Sequence, residues 1–335
     1  MRNILYIGNN LAKKTNYTTS FSILASLLTQ EGYHLTLTSN KMNKMLRLLE
    51  MLWTTFCARN STDFILIDTY STLNFYYAFL VSQLAKMLNI NYIPILHGGD
   101  LPNRLAASPI LCNAIFKHSY KNVAPSLYLK RAFEKHGYTA VCIPNTVPIE
   151  QYVYQERNPI QPKILWVRAF KKLYNPTMAI AVLALVKKQF PSAQLCMVGP
   201  VHDASFSETK EVVSQLALTD SVEFTGVLSK PAWHKKATEF DVFINTTNFD
   251  NTPITVLEAM ALGLPVVSTN VGGMPFLIEN GIDGVLVNKE NPAQMAAAII
   301  DVITENKQSL AQHARTKVER FGWQIVKEQW QQILH

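Results

Sequence analysis

Two carboxylates separated by seven residues form the most informative spacing in the chain. Asp250 opens the segment DNTPITVLEAMALGLP, and Glu258 lies within it among side chains that are mostly apolar. When residues 254–262 are placed about 100° apart around a helix, apolar side chains cover nearly the whole circumference, which is typical of a buried helix. A buried carboxylate without a partner costs free energy, so Glu258 needs hydrogen-bond donors from the protein or from a ligand.

The start of this predicted helix is suited to an anion. Thr252 can act as the N-cap, Pro253 fits the first helical position, and Gly263 suits the C-terminal cap. The free N–H groups and the positive end of the helix dipole then point beyond Thr252. A phosphate beside a hydroxyl-rich group would satisfy the helix terminus and Glu258 together. The alternative is a core helix whose Glu258 pairs with a lysine or arginine from elsewhere in the chain.

Two cations follow the strand-like run ILWV. Arg168 comes directly after it, and Lys172 lies four residues further on. Opposite the start of the helix, these side chains could neutralise a diphosphate without a metal ion. The alternative for Lys172 is surface solvation, because it adjoins Lys171.

Two double-glycine turns also follow strand-like runs. The sequence HGGD at 97–100 comes after YIPIL, and Gly272 and Gly273 come after a second run. A glycine pair allows the backbone to approach a ligand closely, and His97 can donate or accept a hydrogen bond near neutral pH. Ordinary strand-to-helix turns have a similar composition, which is the alternative interpretation.

Strand-like and helix-like runs alternate along the whole chain, which predicts an α/β protein whose parallel sheets are covered by helices. The expected strands of the first half are Asn3–Ile7, Leu35–Thr38, Phe64–Asp68, Tyr92–Leu96 and Asn122–Ala124. Those of the second half are Ile164–Val167, Ala193–Val198, Val222–Phe224, Val242–Asn245, Pro265–Ser268 and Gly284–Val287. A proline-rich segment around residues 144–162 separates the halves and predicts a linker.

We therefore expect two doubly wound, Rossmann-like domains that face each other across a cleft, with ligands at the carboxyl ends of the strands. The domains are expected to span residues 1–150 and 160–315. The segment 316–335 is expected to be helical and to pack back on the first domain.

Composition restricts the function further. The chain has 335 residues, of which 48% are apolar and 16% charged, as expected for a well-packed globular protein, and its net charge of +7 favours anionic ligands. The four cysteines lie far apart, without metal-type spacing.

The N-terminus is unlike a signal peptide and no apolar run is long enough to span a membrane, so a cytoplasmic location is expected. Missing G-x-G-x-x-G, P-loop, H-E-x-x-H and G-x-S-x-G patterns argue against dehydrogenase, P-loop ATPase, zinc peptidase and serine hydrolase chemistry.

The stretch 41–59 combines basic and apolar residues. It carries Lys41, Lys44, Arg47 and Arg59 beside a series of leucine, methionine and aromatic side chains. Such a stretch is typical of a basic amphipathic helix on an anionic membrane, but a stripe of this kind is more often the core face of a domain helix.

Nearly the whole chain resembles the family 4 retaining glycosyltransferases, which have the two-domain GT-B fold. The resemblance is carried by APSLYLKRAFEKHG at 124–137, IPNTVPIEQY at 143–152, the Arg168 and Lys172 pair, and FDNTPITVLEAMALGLPVVSTNVGGMP at 249–275. It implies an enzyme that moves a sugar from a nucleoside-diphosphate donor to an acceptor hydroxyl, with retention at the anomeric carbon. Residues 1–150 would then bind the acceptor and residues 160–315 the donor.

The resemblance also implies roles for single residues. Glu258 is similar to the second acid of the E-x7-E motif, which holds the donor ribose, and Asp250 stands at the first acid, near the transferred sugar. Arg168 and Lys172 would hold the diphosphate, and His97 would lie near the transferred sugar. The remaining donor residues would be Asn251, Thr252, Pro253, Ile254, Thr255, Val227, Leu228, Gly272 and Gly273. The acceptor side would comprise Gly98, Gly99, Asp100, Asn16 and Thr18.

Three features depart from the family pattern. Asp250 is one methylene shorter than the usual glutamate, LAKKTNYTT at 11–19 replaces the usual double-glycine loop, and the arginine-to-lysine spacing is short. Asn16 and Thr18 are expected to substitute for the glycine loop.

The function implied is metal-independent transfer from a UDP- or GDP-sugar to a lipid-linked or saccharide acceptor, in the synthesis of cell-surface polysaccharide or glycolipid. No cofactor and no nucleic acid partner are expected, and the location would be cytoplasmic or peripheral on the inner face of the cell membrane. One alternative is a sugar-nucleotide epimerase of the same fold, with His97 and Asp100 as acid and base. A second is a sugar-nucleotide-binding protein without catalytic activity.

Overall fold

The computed structural model describes residues 2–8 and 19–335. Asn16 and Thr18 therefore lie outside the described residues. The chain forms two compact units. Residues 1–146 and 323–335 form the first unit, and residues 147–322 form the second.

The first unit is a parallel sheet with the strand order β2-β1-β3-β4-β5-β6. The chain alternates strands and helices in the order β1 (Asn3–Ile7), α1 (Ser20–Gln30), β2 (His34–Thr38), α2 (Lys44–Cys57), β3 (Phe64–Thr69), α3 (Asn74–Met87), β4 (Asn91–Leu96), α4 (Leu101–Ala107), α5 (Pro109–Phe116), β5 (Asn122–Ala124), α6 (Leu127–Lys135) and β6 (Ala140–Cys142). β3 reads FILIDT and is buried at every position, as expected for a parallel strand covered on both faces.

The second unit is also a parallel sheet, with the order β12-β11-β10-β7-β8-β9. Its elements are β7 (Lys163–Val167), α7 (Pro176–Val186), β8 (Gln194–Val198), α8 (Ser205–Gln215), β9 (Val222–Gly226), α9 (Lys230–Ala237), β10 (Val242–Asn245), α10 (Ile254–Ala261), β11 (Val266–Thr269), α11 (Met274–Leu277), β12 (Val285–Val287), α12 (Pro292–Thr304) and α13 (Gln308–Glu319). The strand order reverses at β7 and β10, and such a switch point opens a crevice at the carboxyl ends of the strands.

The last helix of the chain, α14 (Trp323–Leu334), belongs to the first unit. Val326, Trp330, Ile333 and Leu334 lie in the same buried cluster as Ile4 and the apolar face of α1. The predicted return of the C-terminal helix to the first unit is confirmed. The helical stretch is nevertheless broken, because the chain turns at residues 320–322 between α13 and α14.

Two local predictions need correction. The strand Ala140–Cys142 was not expected, because this short run lies directly before the proline-rich segment that predicts a linker. Helix α10 begins one residue later than predicted, with Pro253 as its N-cap and without a side-chain cap from Thr252.

The proline-rich segment is packed against the second unit from Val147 onward. Tyr152 and Arg157 are buried, and the Arg157 guanidinium donates hydrogen bonds to the carbonyl oxygens of Ala237, Phe240 and Leu262. Burial lowers the pKa of Arg157 to about 10. The segment therefore anchors the C-terminal ends of α9 and α10 rather than acting as a free linker.

Within the described ranges 2–8 and 19–335, the helices are too short or too polar to cross a membrane.

Candidate functional site

Helix α10 places Glu258 in the interior of the second unit. Its apolar residues pack into a buried cluster with β7, β10 and β11, and Glu258 is only 2% exposed. The helix ends in a Schellman motif, since Leu264 N–H donates to the Ala259 carbonyl at 3.0 Å and Gly263 N–H donates to the Met260 carbonyl at 3.2 Å. Gly263 has φ +80°, as this turn requires, which confirms the sequence-based expectation of a glycine cap.

The Glu258 carboxylate has partners within the protein. The Tyr152 hydroxyl donates a hydrogen bond to Glu258 Oε1 at 2.9 Å, and Lys230 Nζ lies 2.9 Å from the same oxygen. His234 Nε2 is 4.0 Å from it. The structure thus matches the alternative in which Glu258 pairs with a lysine. Lys230 is nevertheless 53% exposed, so its side chain can turn into solvent. Tyr152 is the fixed partner.

Burial shifts the titration of the groups around Glu258. It raises the pKa of the Tyr152 hydroxyl well above its ordinary value, and the Glu258 charge adds to this effect. It also lowers the pKa of His234, and the neighbouring Lys230 charge acts in the same direction whereas Glu258 opposes it. Tyr152 therefore stays a neutral donor, and His234 is neutral over most of the physiological range.

Arg168 and Asp250 form a buried ion pair at the carboxyl edge of the same sheet. Arg168 follows β7 directly, and its guanidinium lies 4.2 Å from the centre of the Tyr174 ring. Burial lowers the pKa of Arg168 to about 10, so the side chain remains charged at neutral pH. Arg168 Nε is buried without a hydrogen-bond partner in the protein.

Glycines hold both members of this pair in place. Gly272 and Gly273 press against the backbone of Asp250 and Asn251, and a Cβ atom at either glycine would overlap a carbonyl oxygen there. Gly273 N–H also donates to the Asp250 carbonyl at 2.8 Å. Gly199 approaches the Arg168 carbonyl in the same way.

Lys172 has a partner of its own. Its ammonium group lies 3.1 Å from Glu208 on α8, and the side chain is 70% exposed. Its backbone N–H donates to Asp203 at 3.0 Å. The structure thus matches the surface interpretation for Lys172, and its binding of a diphosphate stays a prediction.

The start of α10 carries further polar groups. Thr255 Oγ1 is buried without a hydrogen-bond partner, one turn before Glu258 on the same strip of the helix. Asn251 N–H donates to the Asp250 carboxylate at 2.8 Å, which fixes the loop that enters the helix. Ile254 is exposed at the tip. Helix geometry leaves the first N–H groups without partners inside the helix, so they remain available to an anion.

In the first unit, His97 is bound to Asp68. His97 Nε2 lies 2.9 Å from Asp68 Oδ1, which also accepts a hydrogen bond from the Tyr6 hydroxyl at 2.9 Å. The Tyr70 ring stacks on the imidazole, with 5.2 Å between ring centres. Asp68 therefore fixes the orientation of the His97 ring.

The glycine turn after His97 has the conformation that its sequence suggests. Gly98 has φ +92°, which glycine adopts without strain. The Gly99 carbonyl accepts a hydrogen bond from Tyr128 at 3.5 Å. Asp100 precedes α4 and accepts a hydrogen bond from Asn103 at 2.7 Å, so it serves the start of that helix.

Comparison with known proteins relates the second unit to a protein family. Residues 153–319 match the family Glycosyl transferases group 1. The second unit belongs to this family. A D-inositol 3-phosphate glycosyltransferase from Paenarthrobacter aurescens is 28% identical over 168 residues, which are 48% of this chain and 40% of that relative. The chain thus spans less than half the length of the curated relatives it matches.

Solved structures establish the fold of the whole chain as GT-B. Anabaena HepE in complex with UDP and glucose has a TM-score of 0.76 at 17% identity, covering 100% of this chain and 99% of that one. The lipopolysaccharide outer core galactosyltransferase WaaB has a TM-score of 0.74 at 16% identity, covering 99% of each chain. The predicted pair of parallel-sheet α/β units is confirmed.

Of the residues that the sequence predicts to bind the donor, the structure brings only some into contact with one another. Arg168 pairs with Asp250, and the glycine loop contacts the backbone of Asp250 and Asn251. Thr255 shares a helix strip with Glu258. Val227 is exposed after β9, and Leu228 packs against the buried cluster that contains α10. Their contact with a nucleotide base stays a prediction.

Sequence reasoning missed the residues that surround Glu258. Tyr152, Lys230 and His234 come from two other parts of the chain, and nothing in their local sequence marks them as partners of a carboxylate. Only the excess of basic residues in KPAWHKKA could have suggested a cation on α9.

Proposed function

We propose that this chain is a retaining glycosyltransferase that moves a sugar from a nucleoside-diphosphate donor to an acceptor hydroxyl. The main support is the ion pair between Arg168 and Asp250, which the glycine loop holds at the edge of the second sheet beside the entrance to α10. A buried guanidinium next to a helix N-terminus is suited to a diphosphate. Membership of the second unit in the glycosyl transferases of group 1 supports the same reaction.

The second unit would bind the donor. Glu258 would accept hydrogen bonds from the ribose hydroxyls, and Tyr152 would keep its carboxylate in position. Within residues Asn251 to Thr255, the backbone N–H groups of Thr252, Ile254 and Thr255 would donate to the sugar and diphosphate, because Pro253 has no N–H and the Asn251 N–H already donates to the Asp250 carboxylate. Val227 and Leu228 would contact the base of a UDP- or GDP-sugar, of which the UDP form is supported by the complex of HepE with UDP and glucose.

The chemical barrier is charge separation, because negative charge grows on the diphosphate while positive charge grows on the sugar ring. Arg168, Lys172 and the dipole of α10 would stabilise the leaving diphosphate. The acceptor oxygen would attack the anomeric carbon from the face that the diphosphate leaves, and a diphosphate oxygen would take the acceptor proton. The new bond then has the configuration of the old one. The protein cations supply the charge balance in this proposal, without a metal ion.

The first unit would bind the acceptor. His97, oriented by Asp68, and the loop Gly98–Asp100 would lie on the acceptor side together with Asn16 and Thr18. The acceptor would be a lipid-linked or saccharide intermediate of a cell-surface polymer, as the structural similarity to the lipopolysaccharide galactosyltransferase WaaB suggests. The protein would then be cytoplasmic and peripheral on the inner face of the membrane.

Arg168→Ala tests the reaction. A thermal-shift panel of UDP-, GDP- and ADP-sugars first identifies the donor, because selective binding raises the apparent stability. With that donor, the variant should lose about 100-fold or more of the transfer rate, as when a positioned charge-stabilising donor is removed. Lys171→Ala, at an exposed neighbouring position, is the matched control.

Near-normal turnover in folded Arg168→Ala would overturn the role of this residue. Conversion of the donor to an epimer without any acceptor would overturn transfer as the reaction. Tight donor binding with no turnover against lipid and saccharide acceptors would indicate a binding protein instead.

A further inference from the structure

Helix α2 exposes a continuous apolar stripe. Met45 and Trp53 are each 68% exposed, and Leu46, Leu49 and Phe56 are exposed between and beyond them. Met45 and Leu46 are adjacent and the later positions follow at intervals of three or four residues, so they lie along one side of the helix. Large side chains exposed in such a row are unusual for a surface that faces only water.

The opposite side of α2 already packs in the core of the first unit. Met51 is buried in the cluster formed with β1, β3 and α3, and Leu48 and Leu52 pack against that cluster. The Arg47 guanidinium is buried and donates to the Lys41 carbonyl at 2.8 Å. The Tyr77 hydroxyl of α3 donates to the Lys44 carbonyl at 3.2 Å. These contacts fix the rotation of α2, so the apolar stripe faces outward in the folded protein.

The neighbouring helix extends this surface. Helix α3 packs beside α2 on the same face of the sheet and exposes Tyr76, Leu80 and Met87, and Leu73 is exposed directly before it. Exposed large apolar residues of the second unit, such as Leu216 and Ile282, are instead far apart in the sequence and on different elements. We name the exposed residues of α2 and α3, with Met42, the apolar face.

Basic residues border the apolar face. Lys41 and Lys44 are exposed at the start of α2, and Arg59 is exposed just after its end. The Arg59 guanidinium lies 4.4 Å from the centre of the Phe56 ring, so charge and apolar surface adjoin. The one acid within residues 41–59 is Glu50, which accepts a hydrogen bond from Ser39. A surface of this composition complements an anionic lipid bilayer, because the cations meet phosphates and the apolar side chains enter the acyl boundary.

We infer that the apolar face docks this protein on an anionic membrane, with α2 lying along the interface. The inference rests on the proposed function in one respect: docking would bring the first unit to a lipid-linked acceptor. Docking itself requires neither donor nor transfer. It can therefore be tested separately from catalysis.

Co-sedimentation of the full chain with vesicles tests this inference. Vesicles that contain phosphatidylglycerol should bind the protein, and phosphatidylcholine vesicles should bind it at least ~10-fold less. Trp53 supplies a direct signal, since Trp166, Trp233 and Trp330 are buried and Trp323 is partly buried against the core of the first unit. Its emission should shift to shorter wavelength with anionic vesicles, and Trp53→Phe should abolish most of that shift while keeping binding.

Two double variants distinguish the contribution of apolar area to vesicle binding from that of positive charge. Leu49→Gln with Phe56→Gln should lower vesicle binding ~10-fold or more by removing apolar area, and Lys41→Gln with Lys44→Gln should do so by removing charge. Ile282→Gln and Lys289→Gln, at exposed positions of the second unit, are the matched controls. All variants should keep the thermal shift produced by UDP.

Equal sedimentation with and without phosphatidylglycerol, or unchanged binding in both α2 variants, would overturn the inference. So would a concentration-dependent dimer in solution that Leu49→Gln disrupts while vesicles bind nothing, because a second copy would then cover the apolar face. If UDP fails to raise the unfolding temperature of the parent and of every variant, the donor site is refuted, and the inference of membrane docking still stands.

Discussion

Glu258 is a buried carboxylate that the protein stabilises while leaving it able to bind a ligand. Its fixed donor is the Tyr152 hydroxyl, and its second partner is a lysine that is half exposed. A ligand hydroxyl can replace the lysine without leaving the carboxylate unpaired. The residue therefore combines a structural hydrogen bond with a replaceable ion pair.

Glu258→Gln tests this combination. The amide keeps the shape and can still accept from Tyr152, whereas the charge that would bind ribose hydroxyls is lost. Hydrogen bonds to a charged group contribute about 1.5–3 kcal/mol, so UDP should bind ~10–100-fold more weakly in isothermal calorimetry. Stability should change by less than about 1 kcal/mol, because Lys230 can turn to solvent. Glu211→Gln on the exposed side of α8 is the control, and unchanged UDP affinity would exclude Glu258 from the donor site.

His234 gives the site a dependence on pH. Because burial lowers its pKa below the ordinary value of 6.5, the unfolded chain binds more protons than the folded one as the pH falls through about 6.5. His234 should therefore destabilise the fold progressively below that pH and contribute nothing of this kind above it. Urea unfolding of the parent and of His234→Asn at about pH 5.5 and about pH 7.5 measures this effect. The variant should lose less stability on acidification, and His118→Asn at an exposed position controls for loss of an imidazole. A parallel pH dependence in parent and His234→Asn would contradict the effect of burial.

At the scale of elements, the loop between β11 and α11 acts as a support for the loop that precedes α10. The sequence predicted that its two glycines approach a ligand, but both approach the backbone of Asp250 and Asn251. The loop thus determines where the Asp250 carboxylate meets Arg168.

Gly272→Ala should disturb this support. A Cβ atom there would overlap the Asp250 carbonyl, and the residue has φ +54°, so the chain must shift. We expect a loss of about 1–3 kcal/mol in the free energy of unfolding, together with weaker UDP binding. Gly281→Ala has a similar positive φ of +79° but open space around its Cβ, so it measures backbone strain alone. Equal losses in the two variants would show that strain, rather than contact with Asp250, accounts for the effect.

Elements with a strong local pattern were predictable, and contacts between distant segments were not. Buried strands such as β3 are recognisable as apolar runs, and the strand Asn3–Ile7 was predicted with its observed bounds. Glu258 was recognised as needing a donor, but its donors come from Tyr152 and from α9. Side-chain pairs of this kind depend on how the elements pack, which periodicity does not encode.

At the scale of the whole molecule, the chain leaves the first unit at Thr146 and returns to it with α14. Two successive helices, α13 and α14, therefore serve different cores. Lys317 of α13 pairs with Asp283 in the second unit, whereas Trp330 of α14 is buried against the sheet of the first. The stability of the first unit thus depends on residues that follow the whole of the second in sequence.

Trp330→Ala tests this dependence. Removing a buried tryptophan leaves a cavity and should cost about 3–5 kcal/mol, mainly in the first unit. The second unit keeps all its own contacts, so UDP should still raise its unfolding temperature. Urea unfolding should therefore show the first unit unfolding earlier, with the second transition near that of the parent. Gln332→Ala on the exposed side of the same helix should leave both transitions in place. A single transition shifted as one in Trp330→Ala would mean that the two units unfold together, and that α14 supports the stability of the whole chain.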